Sequence, residues 1–225
     1  MSRNKCSNAA LAALFGFACT ASADTVTEVG DTGDLPGSAQ VTTGVGALTL
    51  ITGALSGFDD ADMYAITIVD INAFSATTDD AGTAVFDTQL FLFDSSGLGV
   101  SANDDISHSP YTPHSALNSA GTYKPAAPGV YFLAVSGWDR DPNSGGAAMF
   151  NDDTVYTGVV GPVGAGGASP ISGWDGNGDM NGGVGAYSIV LAGAEFASVP
   201  EPGTLALFAS AAACGYVSRR RLASH

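Results

Sequence analysis

Between residues 41 and 194 the apolar side chains fall in short alternating or continuous runs, broken by Gly, Asp and Asn. In MYAITIV (63–69), Tyr64, Ile66 and Ile68 line one face of an extended chain, and Met63, Ala65, Thr67 and Val69 line the other. QLFLFD (89–94) sets Leu90 and Leu92 against Phe91 and Phe93 in the same way. VYFLAVSG (130–137) and AYSIVLAGA (186–194) are further strands, VTTGVGALTLITGAL (41–55) gives two around Gly44 and Gly46, and INAFSATT (71–78) adds another. No segment before Pro200 sustains a helical period, so the pattern predicts an all-β sandwich or barrel. QLFLF and VYFLAV are apolar at nearly every position, which predicts central strands covered on both faces. Residues 24–40 read as an irregular lead-in, and 195–202 as a linker holding Pro-Glu-Pro. Two stretches, 95–129 and 138–185, exceed a tight turn; loops of that length are functional, ordered by a ligand, or disordered.

The two ends differ from this middle. Residues 1–23 read as a secretory signal peptide: Arg3 and Lys5, the apolar AALAALFGFACT (9–20), then a small-residue ASA cleavage site (21–23). Lipidation at Cys19 ranks second, because GFAC lacks the branched apolar residue expected three positions earlier. At the other end stand Pro200, Glu201 and Pro202, an apolar run over 205–217, and Arg219, Arg220 and Arg221. Thirteen helical residues span about 20 Å, short of the roughly 30 Å of a bilayer core. A simple tail anchor is one reading of 203–225. The tripartite arrangement resembles the PEP-CTERM sorting signal of Gram-negative and related bacteria. That resemblance implies transient membrane insertion through 203–217, recognition by an exosortase-type membrane protease, and delivery to the envelope, outer surface or extracellular matrix.

Removing both ends sharpens the charge. Between them only Lys124 and Arg140 remain against all twenty-two acidic side chains, nineteen of them Asp, a formal charge near −20. Such a body disfavours nucleic acid and anionic membranes as partners and favours cations. Helices prefer Glu, whereas Asp suits turns, where a short carboxylate can converge on an ion. Cys6, Cys19 and Cys214 all lie in the end segments, so the middle has no disulfide; about 175 residues can bury a core without one.

The middle carries a resemblance of its own. DLPGSAQ, GFDDADMYAITI, FSATT, FDTQLFLFDSSGLGVSANDD and PGVYFLAVSGWD, in that order, are similar to the pre-peptidase C-terminal (PPC) type of bacterial β-sandwich. The resemblance runs from about residue 33 to 194, so the domain expected is 41–194. It implies a jelly-roll-like sandwich, often with calcium, and no catalytic residues.

Calcium takes six to eight oxygens, and Asp or Asn side chains two apart in a curled loop can supply several. The chain writes D-x-[DN]-x-[DN] twice, each time behind Ser-Gly-Trp: Asp139, Asp141, Asn143 and Asp175, Asn177, Asp179. Neither is an EF-hand, since the sixth position is Ser144 or Met180 and the twelfth Phe150 or Ala186. Each is either an ion-dependent clamp or an acidic turn. A second constellation sits around two strands. Asp59, Asp60 and Asp62 precede 63–69, Asp87 and Asp94 bracket 89–94, and Asn103, Asp104 and Asp105 follow a turn. If those strands pair or share an end, the carboxylates converge with almost no cation nearby, and a divalent ion relieves the repulsion. The ligands expected are Asp60, Asp62, Asn103, Asp104 and Asp105.

Enzymatic patterns are weaker. His108 and His114 sit six apart in a Pro-rich loop without a third ligand, no Ser lies in a nucleophile elbow, and GPVGAGGAS (161–169) lacks the Lys of a phosphate loop. Trp138 and Trp174 either close the end of the sandwich or form a platform for sugar rings. The reading is an exported, non-catalytic β-sandwich stabilised by calcium. The alternative is a carbohydrate-binding module of the exopolysaccharide matrix, with an Asp-based glycosidase more distant.

Overall fold

The computed structural model describes residues 24–78, 86–108, 111–151, 158–176 and 184–197. The signal-peptide segment 1–23 and the sorting segment 203–225 lie outside the described residues, as do Pro200, Glu201, Pro202, Arg219, Arg220 and Arg221. Among those described there are strands and turns only, and no helix long and apolar enough to cross a membrane. In chain order the strands are β1 (Asp24–Thr27), β2 (Gln40–Val41), β3 (Leu48–Leu55), β4 (Ala61–Ile68), β5 (Ser75–Thr77), β6 (Thr88–Asp94), β7 (Gly99–Asn103) and β8 (Ser107–His108). Then follow β9 (Tyr111–Thr112), β10 (Ala116–Asn118), β11 (Gly129–Gly137), β12 (Asp141–Ser144), β13 (Ala147–Ala148), β14 (Gly173–Asp175), β15 (Gly185–Ala192) and β16 (Ala194–Phe196).

Two large sheets form. One runs β1-β3-β15-β5-β10; the other runs β16-β4-β11-β6-β7, with β2 pairing β4 as well. Their facing side chains make one core: Tyr64, Ile66 and Ile68 of β4, Leu90 and Leu92 of β6, and Leu133 and Val135 of β11 meet Ile51 of β3, Tyr187, Ile189 and Leu191 of β15, and Leu117 of β10. These are the alternate positions that the sequence assigns to one face, and each fully buried Leu, Ile or Val contributes roughly 1.5–3 kcal/mol.

The other face of the second sheet is covered too. Met63, Phe91, Phe93 and Ala134 pack on Met149, Phe150, Ile171 and Trp174 from the long 138–176 segment. Phe91 meets Phe150 at a centroid distance of 5.6 Å and Trp174 edge-on at 5.4 Å. That second layer covers β6 and the later half of β11 on both sides, whereas Val130 at the start of β11 is exposed and Phe132 half-buried, short of the cover expected for all of VYFLAV.

Two boundaries differ from expectation. The lead-in 24–40 is not wholly irregular. Its first four residues form β1, parallel to β3 with Val26 opposite Ile51, and the β-branched Thr-Val-Thr suits an edge strand. The linker expected from residue 195 begins later, because β16 pairs with β4 and buries Ala194 and Phe196. The hydroxyl of Thr42 then accepts the amide of Ala197 at 2.9 Å.

Candidate metal centre

Antiparallel pairing gathers the acidic loops at one end. β4 starts where β11 ends (Asp62 opposite Val135), β11 ends where β6 starts (Gly137 opposite Thr88), and β6 starts where β7 ends (Leu90 opposite Asn103). The strands 63–69 and 89–94 therefore share an end of one sheet, one of the two conditions for convergence. They do not pair. β11 lies between them, so β4 and β6 are two strand spacings apart, roughly 9.5 Å.

That spacing splits the expected constellation. Among the described residues two groups of three carboxylates bring a ligand oxygen from each member within 4.8 Å of the others: Asp87, Asp104, Asp105 and Glu28, Asp31, Asp62. The first joins the residue before β6 to the two after β7. Asp104 and Asp105 are buried and Asp87 half-buried. In sequence Asp87 only brackets a strand; its nearness to 104–105 depends on β6 and β7 forming a hairpin.

Asn103, expected as a ligand, holds this group in place through its amide. Its Nδ2 donates to the carbonyls of Asp105 and Gly158, both at 3.0 Å, and its Oδ1 accepts the amide of Ala116 at 2.6 Å. Beneath the site, Thr78, Thr88 and Ser115 are buried and bonded to one another, tying both sheets together. The backbone amide of Trp138 donates to the carbonyl of Asp87 at 3.1 Å, fixing the end of β11 to the start of β6.

Asp60 joins neither group. Its Oδ2 accepts the amide of Ser56 at 2.5 Å and closes the turn before β4. Asp62 faces the core between the sheets, in register with Tyr64 and Ile66, and is fully buried. Its Oδ2 accepts the hydroxyl of Tyr187 at 2.5 Å, and that hydroxyl is 2.6 Å from the hydroxyl of Tyr64. Burial pushes the Asp62 carboxyl up to about 8; the Tyr187 bond opposes this, while Glu28, Asp60 and Asp31 reinforce it. Tyr64 and Tyr187 are also pushed up, chiefly by burial.

The sequence echo becomes a spatial pair. β12 and β14 lie antiparallel with Asp141 opposite Asp175, so the two copies are adjacent strands of a small sheet, completed by β13. Asp139, Asp141, Asn143 and Asp175 line a cleft of about 140 Å³. Asp141 accepts the Gln89 amide at 3.2 Å, and the Asn143 Oδ1 accepts the amide of Gly146 at 3.1 Å. None of the three carboxylates in this cleft belongs to either convergent group. Asn177 and Asp179 lie outside the described residues. Gly176 adopts φ +80°, and a Cβ there would strike the carbonyl of Asp139, so the crossing of the copies requires glycine.

The two tryptophans part company. Trp174 is buried, with its indole N–H on the carbonyl of Asp34 at 2.8 Å, so it anchors the long loop and presents no platform. Trp138 is 45% exposed beside the Asp87 group.

Residues 198–221 match the PEP-CTERM protein-sorting motif. No curated protein matches the chain. Signals of this type are recognised by exosortase, and the motif implies export to the cell envelope or surface.

Proposed function

We propose that this chain is a non-catalytic protein of the outer surface or extracellular matrix, with a PPC-like, jelly-roll-like sandwich held in shape by calcium. The tail inserts transiently through 203–217, exosortase cleaves it, and the sandwich is the delivered part. Asp87, Asp104 and Asp105 are the calcium ligands of this reading. The observation that carries it is the convergence of three carboxylates, two of them buried, at the joined ends of β6 and β7. Charges drawn together out of water are costly unless compensated, and a hard divalent cation bound by carboxylates compensates them.

Calcium titration of the chelator-stripped protein tests this. At tenfold over the dissociation constant the stabilisation is about 1.4 kcal/mol, which for a chain of this size raises the melting temperature by roughly 3–6 °C. Asp104→Asn together with Asp105→Asn abolishes that group's share of the rise. A melting temperature indifferent to both calcium and chelator would sink the reading.

A second reading rests on Trp138, an exposed indole at the rim of the same end. Such a side chain can stack on sugar rings of an exopolysaccharide. Loss of polysaccharide binding in Trp138→Ala, with folding intact, would favour it.

A further inference from the structure

We propose that Glu28, Asp31 and Asp62 form a second divalent-cation site, at the mouth of the core between the sheets and independent of Asp87, Asp104 and Asp105. Its three ligand oxygens lie within 4.8 Å of one another. Oxygens around a calcium ion at about 2.3–2.6 Å sit up to roughly 5 Å apart, so a single ion can reach all three. Acidic side chains gather on many surfaces without an ion, and convergence by itself assigns nothing.

The second observation is Asp62 itself. It has no solvent exposure, and its Oδ2 is engaged by Tyr187. Its Oδ1 is buried without a hydrogen-bond partner among the described residues. A buried carboxylate oxygen in that state costs free energy that a bound cation recovers. The charges named as acting on Asp62, those of Glu28, Asp60 and Asp31, are all negative.

The surroundings suit an ion entering from water. Burial is graded: Asp31 is exposed, Glu28 is half-buried and Asp62 is enclosed. The exposed side leaves room for the water molecules that complete a calcium shell. Glu28 is held in place rather than swinging outward. Its amide bonds Thr52 at 2.8 Å, and its carboxylate accepts the amides of Ala54 at 2.8 Å and Thr32 at 3.2 Å. Gly53 makes the approach possible, since a Cβ there would overlap the Tyr187 hydroxyl and the Glu28 carboxylate. The sequence pattern concealed this group because Glu28 and Asp31 lie in the lead-in, brought to Asp62 only by β1 joining β3.

Two tyrosine hydroxyls border Asp62, which provides a local probe. Terbium bound at this site should emit on tyrosine excitation, through Tyr64 and Tyr187. The measurement uses the full chain stripped with chelator, in a Trp138→Phe background to silence the indole beside the other group, with calcium calorimetry alongside. We expect tyrosine-sensitised emission that calcium displaces. Glu28→Gln and Asp31→Asn should each weaken it at least about tenfold, as expected when a charged ligand is lost. Asp105→Asn should leave it in place. Asp62→Asn, which imitates a neutral protonated acid, should abolish it while the protein stays folded. If that variant does not fold, the two lead-in variants decide, because Asp31 is exposed and Glu28 is outside the core. Emission unchanged in Glu28→Gln and Asp31→Asn, emission lost in Asp105→Asn, or none from the parent protein would overturn the proposal. Failure of the first site is read separately, as a calcium isotherm indifferent to Asp105→Asn.

Discussion

A carboxyl group inside a hydrophobic layer must shed its charge or find a partner for it, and Asp62 does this with one oxygen on Tyr187. Burial raises its folded-state value from 3.8 to about 8. In chelator, the folded protein keeps this proton between about pH 4 and pH 8 while the unfolded chain releases it. The stabilisation is complete below about pH 4 and is lost as the pH rises through about 8, at no more than about 1.4 kcal/mol per pH unit. The titratable groups facing Asp62 are Glu28, Asp31, Asp60, Tyr64 and Tyr187. We therefore expect the melting temperature of chelated protein to fall from pH 5 to pH 8, and Asp62→Asn to flatten the fall. General repulsion among the acidic loops also grows with pH. The difference between parent and variant isolates the single buried group. A parent slope no steeper than that of Asp62→Asn would refute the assignment.

At the scale of strands, Trp174 is a principal anchor of the segment carrying Asp139, Asp141, Asn143 and Asp175, beside Met149, Phe150 and Ile171. Trp174 closes on Phe91 and donates to Asp34, joining β14 to the outer face of the second sheet and to the lead-in. Trp174→Ala should cost about 3–5 kcal/mol, the usual range for emptying a large aromatic site. Urea midpoints measure this, and limited proteolysis should then open the 138–176 segment before the two large sheets. The longer strands are legible in sequence: β4, β6, β11 and β15 announce themselves because their apolar positions alternate or fill both faces. β5 lies within the predicted strand 71–78, whereas the short β10 falls in 95–129, a stretch without strand pattern, and exists through pairing with β5. The candidate site was half legible. Asp104, Asp105 and Asp62 stood out as acids at strand ends, but which acids meet depends on β11 lying between β4 and β6. That order is a long-range fact with no local signature, so the meeting of Asp87 with Asp104 and Asp105, and of Glu28 and Asp31 with Asp62, does not show in the sequence, whereas Asp60 and Asn103 sit near the same strand ends and bond to the backbone.

For the whole molecule, the boundary between what folds and what sorts is narrow. β16 ends at Phe196, Ala197 is held by Thr42, and the sorting motif begins at residue 198. β16 lies on the same edge of β4 as β2, with Ala194 and Phe196 facing the shared core, so these residues belong to the sandwich although they precede Pro-Glu-Pro closely. Ending the chain after residue 197 should leave the melting temperature nearly unchanged. Ending it after residue 193 uncovers the β4 edge and removes the Phe196 ring, a loss of about 3–5 kcal/mol by analogy with a core Phe deletion. Both truncations remove the whole motif, so both should escape exosortase-dependent sorting, and only the longer one should remain a stable folded protein. Calorimetry of the two, with fractionation of cells producing them, separates the roles. Equal stability would detach β16 from the fold, and normal sorting of either would detach the motif from export.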